Sequence, residues 1–221
     1  RPLAFYMVDT LGTMYKRDLR RLFYTIDHNL DKSIAIGFHS HNNLQMSFAN
    51  AQELIQIMGV RNVIIDSSVL GMGRAAGNLN TELITQYLNI NYDCNYNQLE
   101  IMKLIDGYIA PLQRKYKWGY DAVYYIAAVA GCHPNYASYL MNLQTLNIQS
   151  INMILKGLAM DKRSVFDKSY ISRVYREFMD KNVDDAADIR ALKELLSGKK
   201  VLVMAPGKSL QENRERIEAY R

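Results

Sequence analysis

Between residues 4 and 90 the chain alternates short apolar runs with amphipathic segments, and beyond residue 91 that alternation stops. Such alternation is the signature of βα units carrying a parallel sheet. Ala4–Asp9 reads as a strand, followed by a helix over 17–30 in which Leu19, Leu22, Phe23, Ile26 and Leu30 recur at helical spacing. A second strand is expected over 33–41, with a helix over 44–58 whose Phe48, Ala51, Leu54, Ile55 and Met58 share one side. A third strand spans 62–68 and its helix 81–88. Each unit takes roughly 30 residues, the size of one repeat in an eight-unit (β/α) barrel. Three units cannot close such a barrel, so residues 1–90 are expected to form part of one.

After Asn91 the pattern is helical: 98–112, 120–130, 135–143, 148–159, 169–180 and 183–197, the last ended by Gly198 as a C-cap. Residues 91–198 therefore read as an α-helical domain. Lys200 to Met204, the loop Ala205-Pro206-Gly207-Lys208-Ser209 and a charged amphipathic run to Arg221 read as the start of a further α/β unit over 199–221.

The charge of +5 could suggest a nucleic-acid partner, but Asp18, Asp27 and Asp31 lie among Lys16, Arg17, Arg20 and Arg21. This mixture predicts a solvated surface and no nucleic-acid binding. The most apolar stretch, 122–132, is too short to span a bilayer and contains two tyrosines. No membrane association and a cytoplasmic location are expected, and Cys94 and Cys132 are expected to be free thiols.

The chemistry concentrates in Ser33-Ile-Ala-Ile-Gly-Phe-His-Ser-His-Asn-Asn43. Side chains alternate along a strand, so Ile34, Ile36, Phe38 and Ser40 face one way while Ala35, Gly37, His39 and His41 face the other. With the bulky set against the helices, two imidazoles project inward at the carboxyl end of a strand, where barrel active sites lie. Neutral imidazole is a good ligand for divalent transition metals. His28 and His133 have no comparable neighbour in the sequence and read as structural or solvent-facing. The third strand runs into Asp66-Ser67-Ser68-Val69-Leu70-Gly71-Met72-Gly73-Arg74-Ala75-Ala76-Gly77-Asn78. Its glycines permit close approach of backbone to a ligand, and Asn78 offers a carbonyl oxygen to a metal.

These two motifs, in this order and separation, resemble the last barrel strands of the metal-dependent lyases that include 4-hydroxy-2-oxovalerate aldolase, 3-hydroxy-3-methylglutaryl-CoA lyase, 2-isopropylmalate synthase and homocitrate synthase. Val8-Asp9-Thr10-Leu11-Gly12 matches the preceding strand end, and the likeness covers about residues 4 to 155. The 4-hydroxy-2-oxovalerate aldolases are most similar, since their barrel is followed by a helical domain with segments like Ile-Ala-Pro-Leu-Gln at 109–113 and Asn-Tyr-Ala-Ser-Tyr-Leu at 135–140. The resemblance implies the last three βα units of a TIM (β/α)8 barrel, with Mn²⁺ or Mg²⁺ on His39 and His41 and with Asn78 near the metal. It also implies substrate contacts from Thr10 and Asn78, a 2-oxo acid substrate, and Tyr136 as a catalytic residue over the barrel mouth. An aromatic packed between helices is the other reading of Tyr136. Asp9 either holds its loop or serves the site, the first being preferred.

The family's metal-binding aspartate, arginine and general base are expected from an N-terminal half of the same protein that this chain does not contain, leaving the chain by itself inactive. A homo-oligomer or a partner dehydrogenase is a further implication. Arg74 is closer to the acyl-CoA-condensing members, and Gln45-Met46 replaces small residues. Claisen condensation is therefore an alternative activity. A phosphate-binding module using the loop at 205–209 is another, although that loop lacks full P-loop spacing.

Overall fold

The computed structural model describes residues 2–182, 185–201 and 213–219. Three parallel strands, β1 (Ala4–Asp9), β2 (Ala35–Ser40) and β3 (Val63–Ile65), form a sheet in the order β1-β2-β3. Helices α1 (Lys16–Asn29), α2 (Ser47–Ile57) and α3 (Thr81–Asn91) follow the strands in turn. The register pairs Ala4 with Ala35 through Asp9 with Ser40, and Ile36 with Val63 through Phe38 with Ile65. This is the expected partial barrel sheet.

One face of the sheet is buried under helices. Met7, Ile36 and Phe38 pack with Leu19 and Phe23 of α1 and Leu54 of α2, and Ala51 and Ile55 of α2 meet Leu79 and Ile84. Polar groups reinforce this layer. Glu53, only 2% exposed, receives Arg20 and Lys16 from α1. The buried Arg61 guanidinium donates to the Asp27 carboxylate and to the carbonyls of Asp27, Leu30, Asp31 and Ile34, tying the end of α1 and the entry to β2 together. The opposite face, which would be a barrel interior, is open: Tyr6 is 39%, Val8 51% and Ile64 41% exposed. The Tyr6 ring lies over Gly37, where a Cβ would come within 2.5 Å of it.

Beyond α3 the chain is helical. Helix α4 (Gln98–Leu104) passes through a π-turn (Ile105–Ile109) into α5 (Ala110–Tyr116). Then come α6 (Ala122–Val129), α7 (Pro134–Asn142), α8 (Ile148–Gly157), α9 (Lys168–Asn182) and α10 (Ala186–Leu196). Val123, Ala127, Leu140, Ile151 and Leu155 are buried in the α6–α7–α8 layer. Two compact units are distinguished, Arg1–Tyr175 and Arg176–Arg221, and the change from strands to helices lies inside the first. In the second, Gly198 follows α10 with φ of +71°, the expected cap, and a short helix spans Arg214–Glu218. The expected strand at 200–204 lies largely, and the loop at 205–209 wholly, outside the described residues. Cys94 and Cys132 are free thiols. Among the described residues no helix is long and apolar enough to cross a membrane.

Candidate metal centre

The carboxyl ends of the strands carry the site. His39 pairs in register with Val8 of β1 and leaves the sheet on the open side, while Ile36, Phe38 and Ser40 are buried. The rings of His39 and His41 are 5.2 Å apart between centroids and inclined at 80°. His39 Nδ1 lies 3.1 Å from Asp66 Oδ2, and His41 Nδ1 lies 3.1 Å from the carbonyl oxygen of Asp9. Carboxylate and carbonyl oxygens accept, so both rings donate through Nδ1 and keep the Nε2 lone pair. Metal-binding histidines are commonly held this way, the outer nitrogen bonded and the inner one available. Burial above all holds His41 below the ordinary histidine range; the neighbouring His39 and Arg74 push the same way, against the bond to Asp9.

Asp66 directly follows β3, and its N–H bonds the Phe38 carbonyl. In the parallel register Ile64 stands beside Gly37, which puts Asp66, two residues on, beside His39. Tyr6 adds a longer hydroxyl contact, 3.4 Å, to Asp66 Oδ1. An open cleft of about 410 Å³ is lined by His39, Ile65, Asp66, Ser67 and Asn78.

The glycine-rich loop brings Asn78 to the histidines. Asn78 forms an antiparallel bridge with His41, and Asn42 N–H donates to Gly77. At Gly77, with φ of +83°, a Cβ would collide with the Gly71 carbonyl, so this turn requires glycine. Asn78 Nδ2 donates to Met72, whereas its Oδ1 is buried without a hydrogen-bond partner. An orphaned acceptor on a residue bridged to His41 and lining the cleft with His39 suits a cation. The two asparagines of the histidine motif are clamps: Asn43 donates to Leu11 and accepts from Ala76, and Asn42 accepts from Ser47.

Asp9 has the preferred, structural role. Its carboxylate accepts from the N–H groups of Thr13 and Met14, closing the loop after β1. Thr10 is exposed and lines a different depression with Asp9, Leu11, Thr13 and Met14. Tyr136 is fully buried; its hydroxyl lies 2.8 Å from the carbonyls of both Lys162 and Val165 and accepts from Asp167 N–H at 3.1 Å. A hydroxyl engaged on all sides locks residues 162–167 to α7. This corrects the expectation that it stands free as a catalytic group.

The helical part does reach the glycine-rich loop. Trp118 Nε1 donates to Leu70, and Gly119 N–H donates to Ala75. His133, expected to be structural or solvent-facing, lies within reach of the charges of Arg74 and His41. Its ring is held below the ordinary histidine range by burial first and then by those two groups. His28 is structural, bonding the Tyr24 carbonyl within α1. Among the described residues no three His, Cys, Asp or Glu side chains form a metal-binding group. The donors present are two imidazoles and one amide.

Comparison with known proteins agrees with this geometry. Residues 2–106 match the HMGL-like family. The 4-hydroxy-2-oxovalerate aldolase of Bacillus thuringiensis is 32% identical over 110 residues, 49% of this chain and 31% of that protein. That of Thermomicrobium roseum is 33% identical over 108 residues, 48% and 29% of the two chains. The chain thus spans less than a third of these relatives' length. The N-terminal domain of a candidate aldolase from Bacteroides vulgatus superposes with a TM-score of 0.57 at 29% identity, over 67% of this chain and 47% of that one. Pyruvate carboxylase from Rhizobium etli shares the fold over 98% of this chain and 26% of its own, with a TM-score of 0.55 and 13% identity. Through residues 2–106, just under half of its length, the chain is similar to the HMGL-like family.

Proposed function

We propose that this chain carries part of a divalent-metal-dependent carbon–carbon lyase site, cleaving 4-hydroxy-2-oxo acids to pyruvate and an aldehyde. The observation that carries the reading is the pair His39 and His41, each with Nδ1 engaged, and Asn78, which is bridged to His41 and has an unpartnered Oδ1. The substrate class is supported by the activity named for the Bacillus and Thermomicrobium relatives.

His39, His41 and Asn78 would hold Mn²⁺ or Mg²⁺, which when bound supplies Lewis acidity toward the oxygens of the 2-oxo acid. Asp66 and the Asp9 carbonyl orient the two imidazoles and, in the neutral rings, place the proton on Nδ1 so that Nε2 can face a metal. In the cleavage the C4 hydroxyl loses its proton, the C3–C4 bond breaks, the aldehyde departs, and C3 is protonated to give pyruvate. Asn78, which lines the cleft with His39, is assigned to orienting the substrate, whereas Thr10, expected to share that role, lines a different depression. The carboxylate ligand, the substrate-binding arginine and the group that accepts the hydroxyl proton are assigned to a segment preceding residue 1. The open apolar face of Tyr6, Val8 and Ile64 is the surface further barrel strands would cover.

The test is pyruvate release from 4-hydroxy-2-oxovalerate, coupled to lactate dehydrogenase, with the 221-residue chain alone and joined to its upstream segment. The expected result is turnover only in the joined protein, lost in His39→Ala together with Mn²⁺ binding. Robust turnover by the chain alone refutes the assignment of missing groups. Absence of turnover from a folded, metal-loaded joined protein, with coenzyme A released from an acyl-CoA instead, establishes the condensing alternative that Arg74 suggests.

A further inference from the structure

The loop that carries Asn78 holds two residues in a conformation that glycine adopts freely and other residues do not. Leu70 has φ of +52° and Ala75 φ of +58°. A non-glycine residue persists there only where its surroundings impose it. The carbonyls of both are taken by one two-residue segment of the helical part. Trp118 Nε1 donates to Leu70 at 2.9 Å, and Gly119 N–H donates to Ala75 at 3.1 Å. That segment is itself fixed to α5: Lys117 N–H donates to the Gln113 carbonyl at 2.7 Å, and the Gln113 side chain donates back to the Trp118 carbonyl at 3.3 Å.

Asn78 depends on the residues between the two clamped positions. Its N–H donates to the Gly71 carbonyl at 2.9 Å, and its Nδ2 donates to the Met72 carbonyl at 3.1 Å. At Gly73 a Cβ would come within 2.7 Å of that Nδ2, so the loop wraps closely around the amide. With Nδ2 committed to Met72, the buried Oδ1 is the atom left to meet a cation. Its position is therefore set by residues 71–73, and theirs by Leu70 and Ala75 on either side.

We infer that the Trp118–Gly119 turn is a clamp that seats Asn78 in the metal centre. Trp118 is then a positioning residue, acting through residues 70–75 and not by contact with the cation. The inference rests on the reading of Asn78 as a metal ligand. Coupling of this kind is reciprocal: loosening the turn weakens the metal, and the bound metal tightens the turn.

A cycle of Trp118→Phe and Asn78→Ala in the 221-residue chain, with Mn²⁺ affinity read by water-proton relaxation, tests it. Phenylalanine keeps an aromatic ring and removes the N–H that Leu70 accepts. Trp118→Phe should raise the dissociation constant about three- to tenfold, the worth of one hydrogen bond. In the Asn78→Ala background the same change should alter it by less than about 1.5-fold, because the clamp then has no ligand to place. Equal losses in both backgrounds, the mark of a fold merely loosened, overturn the inference, as does an unchanged affinity in Trp118→Phe. Tyr136→Phe, whose hydroxyl serves residues 162–167, is the control and should leave the affinity unchanged.

A second reading needs no variant and stands where one fails to fold or to bind. Trp118 is the single tryptophan, so the chain has one indole N–H resonance, and saturating diamagnetic Mg²⁺ should shift it together with the rings of His39 and His41. Movement of the histidine resonances alone overturns the clamp and leaves the metal reading in place; no movement of any of them removes both. Pyruvate release by the upstream-joined protein decides the lyase chemistry independently of either result.

Discussion

Replacing Asp66 by asparagine separates the charge of the His39 partner from its shape. In the parent chain Asp66 Oδ2 lies 3.1 Å from His39 Nδ1. Asparagine keeps an oxygen able to accept the same N–H but loses the negative charge that makes the ring a stronger donor to a metal through Nε2. Removing such a partner weakens metal binding about 10- to 100-fold in general. The side chains here are 33% exposed for His39 and 42% for Asp66, so solvent screens the pair and the lower end applies. Asp66→Asn is therefore expected to raise the dissociation constant for Mn²⁺ about tenfold, ~1.4 kcal/mol. Asp66→Ala, which also frees the ring to rotate, should weaken it further. Mn²⁺-induced enhancement of water-proton relaxation measures both, since it reads weak sites directly. An affinity unchanged in both variants refutes the reasoning, because His39 would then not bind through the nitrogen that Asp66 leaves free. A loss in Asp66→Ala alone would mean that orientation matters and charge does not.

Four further outcomes follow from the packing and the titrating groups. His133 should titrate by NMR with a midpoint below the ordinary 6.5, and Arg74→Gln should move it upward by removing a neighbouring positive charge. His41 and His133 take up protons less readily folded than unfolded, so their share of stability is complete above pH 6.5 and is lost as pH falls from there through their lower folded values; denaturant melts should show this decline. Arg61→Met should destabilise the first unit by about 1–3 kcal/mol in urea melts, because Asp27 and four carbonyls each lose a buried donor while Lys32 still serves Asp27. Tyr136→Phe should cost about 1–3 kcal/mol of stability, with no loss of Mn²⁺ affinity, as its hydroxyl serves Lys162, Val165 and Asp167.

The strands were legible where period-two patterning and burial coincide. The first strand runs over Ala4–Asp9, and Ile36 and Phe38 are fully buried as their spacing requires. Departures occur where backbone chemistry overrides periodicity. The second helix starts at Ser47 rather than at residue 44, because Gln45 adopts φ of +57° in a turn closed onto Asn42. The helix expected over 98–112 carries a π-turn at Ile105–Ile109, ahead of Pro111, which lacks the N–H that a continuous helix would use. Asp66 was within reach of the sequence, since β2–β3 register sets it beside His39 once the strands are known to be parallel neighbours. His133 was not, because the charges of Arg74 and His41 reach it only through the docking of the helical layer at Trp118 and Gly119, which leaves no periodic trace.

The division of donors has a thermodynamic consequence for the proposed lyase. Two neutral imidazoles and an amide leave a divalent cation's charge uncompensated, so this part of the site should hold Mn²⁺ only weakly by itself. On the proposed reading, the carboxylate that offsets that charge arrives on the same strands that cover Tyr6, Val8 and Ile64. Metal binding and closure of the sheet face are then linked: the cation binds well only to the closed arrangement, and at about 100 times its dissociation constant it adds ~2.7 kcal/mol to the stability of that arrangement. Because His39 and His41 are held through Asp66, directly after β3, and the Asp9 carbonyl at the end of β1, the sheet itself sets the spacing of the two rings before any metal arrives. On that reading the chain contributes preorganised geometry, and the segment proposed to close the barrel contributes the charge.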